Sequence, residues 1–542
     1  MLFNSYGFIF AFLPATLLVF YLCGRYSIGW ARTWITLASL VFYALWRPLN
    51  VAIILPSILV NYLLAQRLQR LGADPARAPA ARMTLIAGIV FNVAFLGFFK
   101  YTGLLQQASN DVLGTHFVLS HIILPLGISF ITFQKIAFLI DVHAKRIEPF
   151  SFTDYALFVL FFPQLIAGPI VHYREVMPQF RSLTARFDAT QLCVGLTMFC
   201  IGLFKKAFLA DSIAPLVTNI FDRAAHGEPV SMIPAVLGAI GFMLQIYFDF
   251  SGYSDMAIGI ARMFGVRLPI NFDSPLRAAS VIDFWLRWHI TLSRFLTAYI
   301  YNPLLLGLTR RRLARGKQPL NARNATVGAF LELIAFPTLI TMFISGLWHG
   351  AGYTFIVWGL MHGVFLTVNH AWRLIVARRR GRTTPPKWSI PGFLLTFVCV
   401  VVAMVFFKAP TMKTAFAMVG GMIGIHGIGL PDALWSHLGP LQGLLAHTGG
   451  GPEVWWGAVA FLSLIGWTVL GLAIVLFLPN SQQLLARYTP ALNVQPVPAA
   501  EPVKWKGLAW SPTLRWGLAL AVLAGAAILQ FGGPSEFLYW QF

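Results

Sequence analysis

Charged residues are scarce in this sequence, and their scarcity excludes most soluble classes of protein. Only 11% of the 542 residues are Asp, Glu, Lys or Arg, whereas 58% are hydrophobic. A soluble globular domain carries roughly 25% charged residues. A deficit spread over the full length cannot be hidden in one water-soluble core. Repeated apolar runs of membrane-spanning length instead predict an all-α polytopic membrane protein embedded in the lipid bilayer.

Acidic residues are the rarer charged class. The chain has 19 Asp and Glu against 40 Lys and Arg, which gives a formal net charge of +21. The basic residues concentrate in short segments between apolar runs, as the positive-inside rule expects of cytoplasmic loops. No nucleic-acid recognition module accompanies this charge, so nucleic acid is not a predicted partner. The segments contain Arg67, Arg70, Arg77 and Arg82; Arg310, Arg311, Arg312, Arg315, Lys317 and Arg323; and Arg373, Arg378, Arg379, Arg380, Arg382 and Lys387.

The N-terminal segment lacks basic residues before its apolar run, and the first one, Arg25, follows that run. A cleavable signal peptide has the opposite order. We therefore expect a retained first helix with the N-terminus outside. The spans predicted from hydropathy are 8–23, 30–46, 50–65, 84–100, 122–140, 327–346, 351–372, 389–408, 455–478 and 514–531. This topology places the loops 101–120 and 409–454 outside and residues 479–513 inside.

The middle of the chain, roughly 155–308, departs from simple crossings. Its apolar runs are interrupted by turn-rich or polar stretches, of which Ala167-Gly168-Pro169 and Asp249–Asp255 are the clearest. Non-helical backbone at membrane depth is tolerated only when it is buried in protein or lines a cavity. We therefore expect this region to be partly re-entrant and to hold the chemistry. The apolar runs are 155–170, 190–210, 231–248 and 281–308.

Cysteine and several catalytic motifs are also scarce or missing. The four cysteines all lie in apolar runs without a CxxC pair, which favours small buried hydrophobes over disulfides or a metal site. No HExxH occurs, so no metal is predicted. The sequence also lacks a phosphate-binding loop, a dinucleotide fingerprint and a GxSxG elbow. The cysteines are Cys23, Cys193, Cys200 and Cys399.

Two segments place ionisable residues inside apolar surroundings, where such residues are costly and therefore functional candidates. The first is Asp283–Ser293. On one continuous helix, Asp283 and Arg287 would form an ion pair, and His289 would emerge beside Trp285, four residues earlier. The second is Ser345–Gly352, in which His349 lies between two spans among small residues that allow close approach.

Acyl transfer from a thioester to a hydroxyl needs a base for the proton and a group that stabilises the oxyanion. Imidazole exchanges a proton near neutral pH, so His289 and His349 could supply such functions. From the residues alone, His289 and His349 could equally be buried histidines whose ring nitrogens are hydrogen-bonded and which take no part in catalysis. The other ten histidines are interpreted as structural.

A wider set of motifs resembles the membrane-bound O-acyltransferase family. The resemblance runs from residue 1 to about 408, and the opening Leu2–Tyr6 resembles its bacterial alginate O-acetyltransferase-type subgroup. We therefore expect residues 1–408 to form a catalytic membrane core and 409–542 to add an outer-face loop and two transmembrane helices to the same bundle. The family-like stretches are Phe161–Ile170, Asp249–Asp255, Asn271-Phe272, Asp283–Ser293, Gly346–Ala351 and Leu139–Val142.

The resemblance implies a fold, a reaction and a set of site residues. The fold would be a ring of about eleven transmembrane helices, with re-entrant segments, around a central tunnel in a bacterial inner membrane. His349 corresponds to the family's essential histidine and His289 to its second key position. The residues expected to support the substrate or the tunnel are Trp285, Trp288, Trp348, Asp283, Arg287, Asp249, Ser251, Asp255 and Asn271.

The resemblance also implies substrates and a partner. Acetyl-CoA would be the donor substrate, with no bound cofactor. The acetyl group would pass across the membrane, through a periplasmic partner of the SGNH-hydrolase type, to hydroxyls of an exported polysaccharide or of peptidoglycan. Three departures leave the acceptor open: Leu286 and His172 stand where Arg is common, and Leu296–Leu305 replaces an acidic residue followed by a Gly-Gly turn.

Two other classes of function stay open on the sequence. A polysaccharide or lipid-linked sugar transporter could use the histidines as proton relays, although the absence of an internal repeat weakens an inverted-repeat architecture. A scaffold that only anchors a periplasmic acetylation complex would tolerate replacement of both His289 and His349. Acyl-CoA turnover separates the enzyme from both alternatives.

Overall fold

The computed structural model describes residues 1–114, 122–318, 320, 326–380, 388–447, 449–453, 455–494, 505–532 and 538. Three residues of the predicted basic segments, Arg323, Arg382 and Lys387, lie outside these described residues. The described chain is largely helical, in agreement with the predicted all-α class.

Twelve α-helices make up the first half of the described chain. In chain order they are α1 (Leu13–Tyr26), α2 (Ile28–Ala44), α3 (Pro48–Gly72), α4 (Ala78–Lys100), α5 (Thr102–Leu113), α6 (Ile128–His143), α7 (Phe152–Leu160), α8 (Phe162–Leu165), α9 (Tyr173–Arg181), α10 (Ala189–Leu203), α11 (Asp211–Ala225) and α12 (Met232–Met263). π-helical segments at Phe8–Phe12 and Phe204–Ala210 extend α1 and link α10 to α11. A 3₁₀ turn at Pro75–Arg77 leads into α4.

The second half continues with α13 (Val281–Arg287), α14 (Ile290–Leu296), α15 (Asn302–Ala314), α16 (Val327–Phe330), α17 (Phe336–His349), α18 (Tyr353–Arg380), α19 (Ile390–Lys408), α20 (Met412–Met422), α21 (Asp432–Trp435), α22 (Pro440–His447), α23 (Ala458–Phe477), α24 (Ser481–Leu484) and α25 (Leu514–Leu529). Further π-helical segments lie at Thr297–Tyr301 and Leu331–Ala335. Two 3₁₀ turns lie at Pro275–Arg277 and Lys506–Leu508. Strands β1 (Gly429–Pro431) and β2 (Gly451–Glu453) pair in parallel, with Gly429 opposite Gly451.

In the described part of the chain, 8 helical segments are long and apolar enough to cross a membrane. A hydrocarbon core of roughly 30 Å needs about 20 residues of α-helix, and these segments have 19 to 37. This confirms a polytopic membrane protein, whereas the count of about eleven helices stays a prediction. The segments are Phe8–Tyr26, Pro48–Gly72, Pro75–Lys100, Ala189–Ala225, Met232–Met263, Val327–His349, Ile390–Lys408 and Ala458–Phe477.

The predicted break at Asp249–Asp255 is wrong, because α12 runs through it without interruption. Two lysines neutralise its carboxylates: Lys206 Nζ lies 2.8 Å from Asp249 Oδ1, and Lys205 Nζ lies 2.6 Å from Asp255 Oδ2. Gly252 lets α12 press against α10, since a Cβ there would lie 2.6 Å from the Gly202 carbonyl oxygen. Polarity in this stretch therefore marks helix packing rather than a turn.

The predicted run 281–308 is not one helix. It divides into α13, of 7 residues, and a helix that continues from α14 through the π-helical segment Thr297–Tyr301 into α15. The division falls at Trp288 and His289, where His289 adopts a left-handed φ of 45°. The expected neighbourhood of Trp285 and His289 is therefore wrong, because the two residues do not share a continuous helical face. α13 is too short to cross a membrane, which agrees with the expectation of partly re-entrant structure.

Two smaller expectations also change. The loop predicted at 101–120 contains α5, and the apolar run 122–140 becomes helical only at Ile128.

Beyond residue 408, α23 packs against α12 and α25 packs against α10. The C-terminal helices are thus in contact with the helices of the middle region.

The described core consists of two large apolar clusters. One cluster surrounds α6 to α10 and includes Trp348. The other surrounds α12, α18 and α19 and includes Trp285, Trp288 and Trp358. His349 lies where these two clusters meet, since its ring contacts both Trp348 and Trp358.

Candidate active site

His349 is the last residue of α17, and it is 3% exposed. Close backbone packing sets its position. A Cβ on Gly346 would lie 2.3 Å from the Phe355 carbonyl oxygen, and one on Gly359 would lie 2.3 Å from the Met342 carbonyl oxygen. Gly346 and Gly359 therefore let α17 and α18 come into direct backbone contact.

His289 lies at the junction of α13 and α14 and is completely buried. Its Nδ1 is 3.0 Å from Asn271 Oδ1, which also accepts a hydrogen bond of 2.9 Å from Thr291 Oγ1. Because an amide oxygen only accepts, His289 Nδ1 carries the proton in this arrangement, and Nε2 presents a lone pair. The Asn271 amide nitrogen donates to Ser254 Oγ at 3.3 Å, which fixes the amide orientation.

The turn of the family-like segment Phe161–Ile170 supports the same junction. The Ile170 backbone N–H donates to Thr291 Oγ1 at 3.0 Å. Thr291 thus links that segment to Asn271 and, through it, to His289. Asn271, predicted as a supporting residue, is the centre of this hydrogen-bonded group.

The two imidazoles face each other within an aromatic enclosure. Their ring centroids are 6.1 Å apart, and the planes are inclined by 62°. The rings of Trp348 and Trp358 each lie 4.9 Å from His349, and Phe407 lies 5.3 Å away. Charges that develop in this largely apolar enclosure depend on groups already in place.

Lys100, at the end of α4, reaches the end of α17. Its ammonium donates to the carbonyl oxygen of His349 at 3.1 Å and to that of Trp348, and the residue is only 8% exposed. A cation at a helix C-terminus satisfies carbonyls that have no partner within the helix and complements the helix dipole. Lys100 therefore fixes the backbone that carries the His349 ring.

A cavity of about 240 Å³ reaches His349 from one side. We call it the Lys100 cavity; its lining includes Trp46, Lys100, Ser129, Trp348 and His349, together with residues 123–128. Trp348 is held in this wall by rings of Phe130 and Phe133 at 5.1 and 5.2 Å. A polar group that enters the cavity can therefore meet His349 directly.

A second cavity, of about 230 Å³, is lined by residues of α17 and α18 that are distant along these helices from His349. We call it the Trp285 cavity; its lining includes Trp285, Tyr301, Thr338, Met342, Leu366 and His370. At 1.5 Å per residue, His370 lies about 18 Å along α18 from Trp358. The cavity therefore extends away from His349 toward the basic end of α18.

The predicted tryptophans occupy three different positions. Trp348 contacts His349, whereas Trp285 contacts His362 and lines the second cavity. Trp288 stacks on Phe284 at 5.5 Å. Although it precedes His289 in the chain, no described ring contact joins it to the imidazole of His289 or of His349. Its neighbours are core aromatics, so its position is a packing one.

The charged candidates on α13 pair as predicted. Arg287 Nε lies 2.8 Å from Asp283 Oδ1, and both side chains are about one-third exposed, at 36% and 31%. The Arg287 guanidinium also donates to the Asp273 carbonyl oxygen at 3.4 Å. The pair joins α13 to the preceding turn, and no described contact brings it to the histidines.

The two acidic candidates on α12 belong to ion pairs. Lys206 bridges Asp249 and Asp211 at 2.8 and 2.6 Å. Asp255 pairs with Lys205 and accepts a hydrogen bond from Ser481 Oγ at 3.1 Å. The buried Ser251 Oγ has no hydrogen-bond partner among the described residues.

Sequence reasoning missed Lys100 and His362. Lys100 is a basic residue at the end of a predicted span, and that placement is its only local signal. His362 was grouped with the structural histidines, yet its ring lies 5.0 Å from Trp358, which contacts His349. Among the described residues, no group of three His, Cys, Asp or Glu is arranged to hold a metal ion.

The fold and this histidine-bearing centre define a multi-pass helical membrane protein, and comparison with known proteins gives its family. The profile of the membrane-bound O-acyltransferase (MBOAT) family matches residues 143–317. The chain belongs to the MBOAT family and is an O-acyltransferase.

Three relatives illustrate the similarity. A peptidoglycan O-acetyltransferase of Helicobacter pylori is 41% identical over 459 residues, which cover 79% of this chain and 81% of the relative. A probable alginate O-acetylase AlgI of Pseudomonas putida is 33% identical over 558 residues and covers 100% of both chains. A teichoic acid D-alanyltransferase of Streptococcus thermophilus is 26% identical over 294 residues, 52% of this chain and 68% of the relative.

Proposed function

We propose that this enzyme transfers an acetyl group from cytoplasmic acetyl-CoA to a hydroxyl at the outer face of a bacterial inner membrane. The final acceptor is an exported polysaccharide or peptidoglycan, reached through a periplasmic SGNH-type partner. The observation that carries the proposal is that His349, whose ring centroid lies 6.1 Å from that of His289, lines the Lys100 cavity, while the Trp285 cavity is lined by residues of α17 and α18, the two helices that flank His349 in the chain. The names of the relatives, which refer to alginate and peptidoglycan, support the class of acceptor.

The two cavities can be assigned to the two substrates by charge. The Trp285 cavity includes His370, three residues before Arg373 on α18, and basic segments are expected on the cytoplasmic side. The donor would enter there. The Lys100 cavity is lined by residues 123–128 and Trp46, which lie at the predicted outer ends of their spans. The acceptor hydroxyl would enter from that side, with the N-terminus also outside.

His349 acts as the general base in this proposal. It takes the proton of the acceptor hydroxyl while the hydroxyl oxygen attacks the thioester carbonyl carbon. The C–S bond then breaks, the coenzyme A thiolate leaves, and the proton held by His349 passes to the sulfur. No net proton is gained or lost, and the imidazole returns to its starting form.

His289 orients the reacting groups. With its Nδ1–H donated to Asn271, its Nε2 can accept a hydrogen bond but cannot donate one to a carbonyl unless the ring takes up a second proton. Orientation of the acceptor hydroxyl therefore fits this geometry better than polarisation of the thioester. The remaining supporting candidates act at a distance: Trp348 shapes the wall beside His349, and the Asp283–Arg287 pair stabilises α13.

We also propose that the two parts of the chain have different roles. Residues 1–408 carry the catalytic core, and residues 409–542 add the outer-face loop and two further helices to the same bundle. The contact of α23 with α12 and the hydrogen bond from Ser481 to Asp255 support this arrangement. The C-terminal part then acts by holding α12, not by contributing reacting groups.

The first test is release of acetate label from radiolabelled acetyl-CoA by purified protein in nanodiscs. His349→Ala should lower the rate by roughly 10²–10⁴, because the reaction loses its general base. His226→Ala is the matched control, since His226 is exposed at the end of α11 and outside the proposed site. Its rate should equal that of the wild type.

Two results would count against the proposal. Normal acetyl transfer by a folded His349→Ala variant would remove the assignment of the base. If the wild type consumed no acetyl-CoA or longer acyl-CoA even with its periplasmic partner, the donor assignment would fail. Ion-coupled sugar flux in that case would support the transporter instead.

A further inference from the structure

A third cavity, of about 370 Å³, lies where three membrane-crossing segments begin or end. Tyr21 is near the end of α1, and Gln191 is near the start of α10. Gly265 lies just beyond the end of α12. The cavity is therefore at the level of the lipid headgroups and not of the hydrocarbon core. We call it the Arg267 cavity; its lining includes Tyr21, Gln179, Arg186, Gln191, Gly265 and Arg267.

The predicted topology places the Arg267 cavity at the cytoplasmic surface. Leu492, which also lines it, belongs to the predicted inside segment 479–513. Exposed aromatic side chains lie beside it: Tyr26 is 88% exposed, and Phe187, which is 64% exposed, meets Tyr21 edge to face at 5.8 Å. Aromatic rings are typical of the interface between membrane and water, so these rings support the same depth.

Backbone contacts define the walls of the cavity. The Arg267 N–H donates to Gln179 Oε1 at 2.9 Å, and Gln179 Nε2 donates to the Arg267 carbonyl oxygen at 3.0 Å. Gly265 has a left-handed φ of 81°, and a Cβ there would lie 3.0 Å from Leu183 Cδ1 and 3.3 Å from Gln191 Oε1. The cavity is thus a fixed concavity that a side chain at position 265 would narrow.

Positive charge collects at this cavity. Arg186 and Arg267 line it, and Arg262, at the end of α12, is only 8% exposed and repels Arg267. Among the described residues, none of these three guanidinium groups forms an ion pair. Asp188 attracts Arg262 from a distance, but its oxygens accept N–H groups at the start of α10. The cavity therefore favours an anionic ligand.

We propose that the Arg267 cavity binds the headgroup of an anionic phospholipid from the cytoplasmic leaflet. The phosphate pairs with the guanidinium groups of Arg186 and Arg267, whose planar donors match phosphate oxygens. The acyl chains continue into the bilayer along α1, where Leu18 and Leu22 are exposed. This continuity with the lipid-facing surface favours a lipid over a soluble phosphate compound. The inference does not depend on the proposed donor or acceptor.

The test is binding of dihexanoyl-phosphatidylglycerol to the purified full-length protein in a neutral detergent. The measurement is the rise in the midpoint of thermal unfolding as lipid is added. Dihexanoyl-phosphatidylcholine has the same acyl chains but a cationic choline, so it should raise the midpoint less at every concentration. Arg186→Gln/Arg267→Gln should lower the apparent affinity for phosphatidylglycerol by at least about 10-fold, because charge-assisted hydrogen bonds to the phosphate are lost.

A second variant tests the charge without removing a guanidinium group. Thr184 lines the cavity and is exposed, so Thr184→Asp adds a carboxylate there without disturbing the core. It should also weaken the binding of phosphatidylglycerol. The matched control is Arg67→Gln/Arg70→Gln, which removes the same charge from exposed positions on α3. The control should bind the lipid with the wild-type affinity.

Three results would overturn the proposal. The two lipids raise the midpoint alike, or both cavity variants keep the wild-type affinity, or the control loses as much affinity as Arg186→Gln/Arg267→Gln. Coenzyme A, which carries phosphates but no acyl chains, distinguishes a soluble ligand from a lipid. If it raised the wild-type midpoint as phosphatidylglycerol does, and this effect vanished in Arg186→Gln/Arg267→Gln, the cavity would bind a soluble phosphate compound and the lipid assignment would be wrong.

Discussion

The two imidazoles of the site are held by different groups. His289 is fixed through its ring, by the hydrogen bond to Asn271, whereas His349 is fixed through its backbone, by the ammonium of Lys100. A substitution of Asn271 therefore affects which ring nitrogen of His289 carries the proton. A substitution of Lys100 acts on the position of a helix end.

Replacement of Lys100 by Met should weaken acetyl transfer without unfolding the protein. The methionine fills similar space but cannot donate to the carbonyls of Trp348 and His349. Hydrogen bonds to charged groups contribute about 1.5–3 kcal/mol, so kcat/KM should fall by roughly 10- to 100-fold. The measurement is acetyl-CoA turnover of protein that elutes as a single species in detergent.

Lys317→Met provides the matched control, because Lys317 is exposed in the segment after α15. It should turn over acetyl-CoA at the wild-type rate. Full activity in Lys100→Met would show that the end of α17 keeps its position without the ammonium, and Lys100 would then have no positioning role.

At the residue scale, the sequence indicated the two histidines of the centre but not their neighbours. His349 and His289 stand in polar motifs within apolar runs, so local pattern and resemblance both point to them. Lys100 and His362 meet their partners across 249 and 77 residues of chain. No local pattern carries information about contacts of that separation.

At the scale of secondary-structure elements, α12 depends on charge pairing. Three carboxylates and two lysines lie in or beside its contact with the segment from α10 to α11. Charged groups in apolar surroundings are stable only when they are paired. The continuous helix through Asp249–Asp255 is therefore a consequence of lysines that lie about fifty residues earlier in the chain.

The pair formed by Lys205 and Asp255 can be tested by stability. Its side chains are 14% and 6% exposed and lie 2.6 Å apart. Lys205→Met alone should lower the free energy of unfolding by about 3–5 kcal/mol, because it leaves a buried carboxylate without its cation. The double variant Lys205→Met/Asp255→Asn should recover much of that loss, since neither charge remains. Thermal unfolding in detergent measures both.

Lys413→Met, at an exposed position on α20, serves as the comparison and should unfold as the wild type does. If the single and double variants lost equal stability, the pairing of the two charges would not be what stabilises α12. In that case packing around Gly252 and Gly202 would be the main cause.

For the whole molecule, the distribution of basic residues makes a prediction about orientation. The segments Arg310–Lys317 and Arg373–Arg379 should face the cytoplasm, and the N-terminus should face the other side. In spheroplasts, an epitope tag added before Met1 should be removed by external protease. A Lys317→Cys variant should react with a membrane-impermeant thiol reagent only after the cells are opened.

The native cysteines Cys23, Cys193, Cys200 and Cys399 set the background of that labelling, so the parent protein is measured in parallel. If Lys317→Cys were labelled in intact spheroplasts and the N-terminal tag were protected from protease, the orientation would be the opposite of the predicted one. The Trp285 cavity would then face outward, and the proposed assignment of donor and acceptor to the two cavities would be wrong.

Hydropathy and charge by themselves determined that this chain is a helical, multi-pass membrane protein, because each long apolar run must satisfy its backbone hydrogen bonds as a helix. The motifs also indicated the family and the two histidines. Only the tertiary structure decided that α12 is continuous, that His289 sits at a break between α13 and α14, and that Lys100 and His362 belong to the centre. Those features depend on contacts between residues far apart in sequence, and such contacts form only when the helices pack.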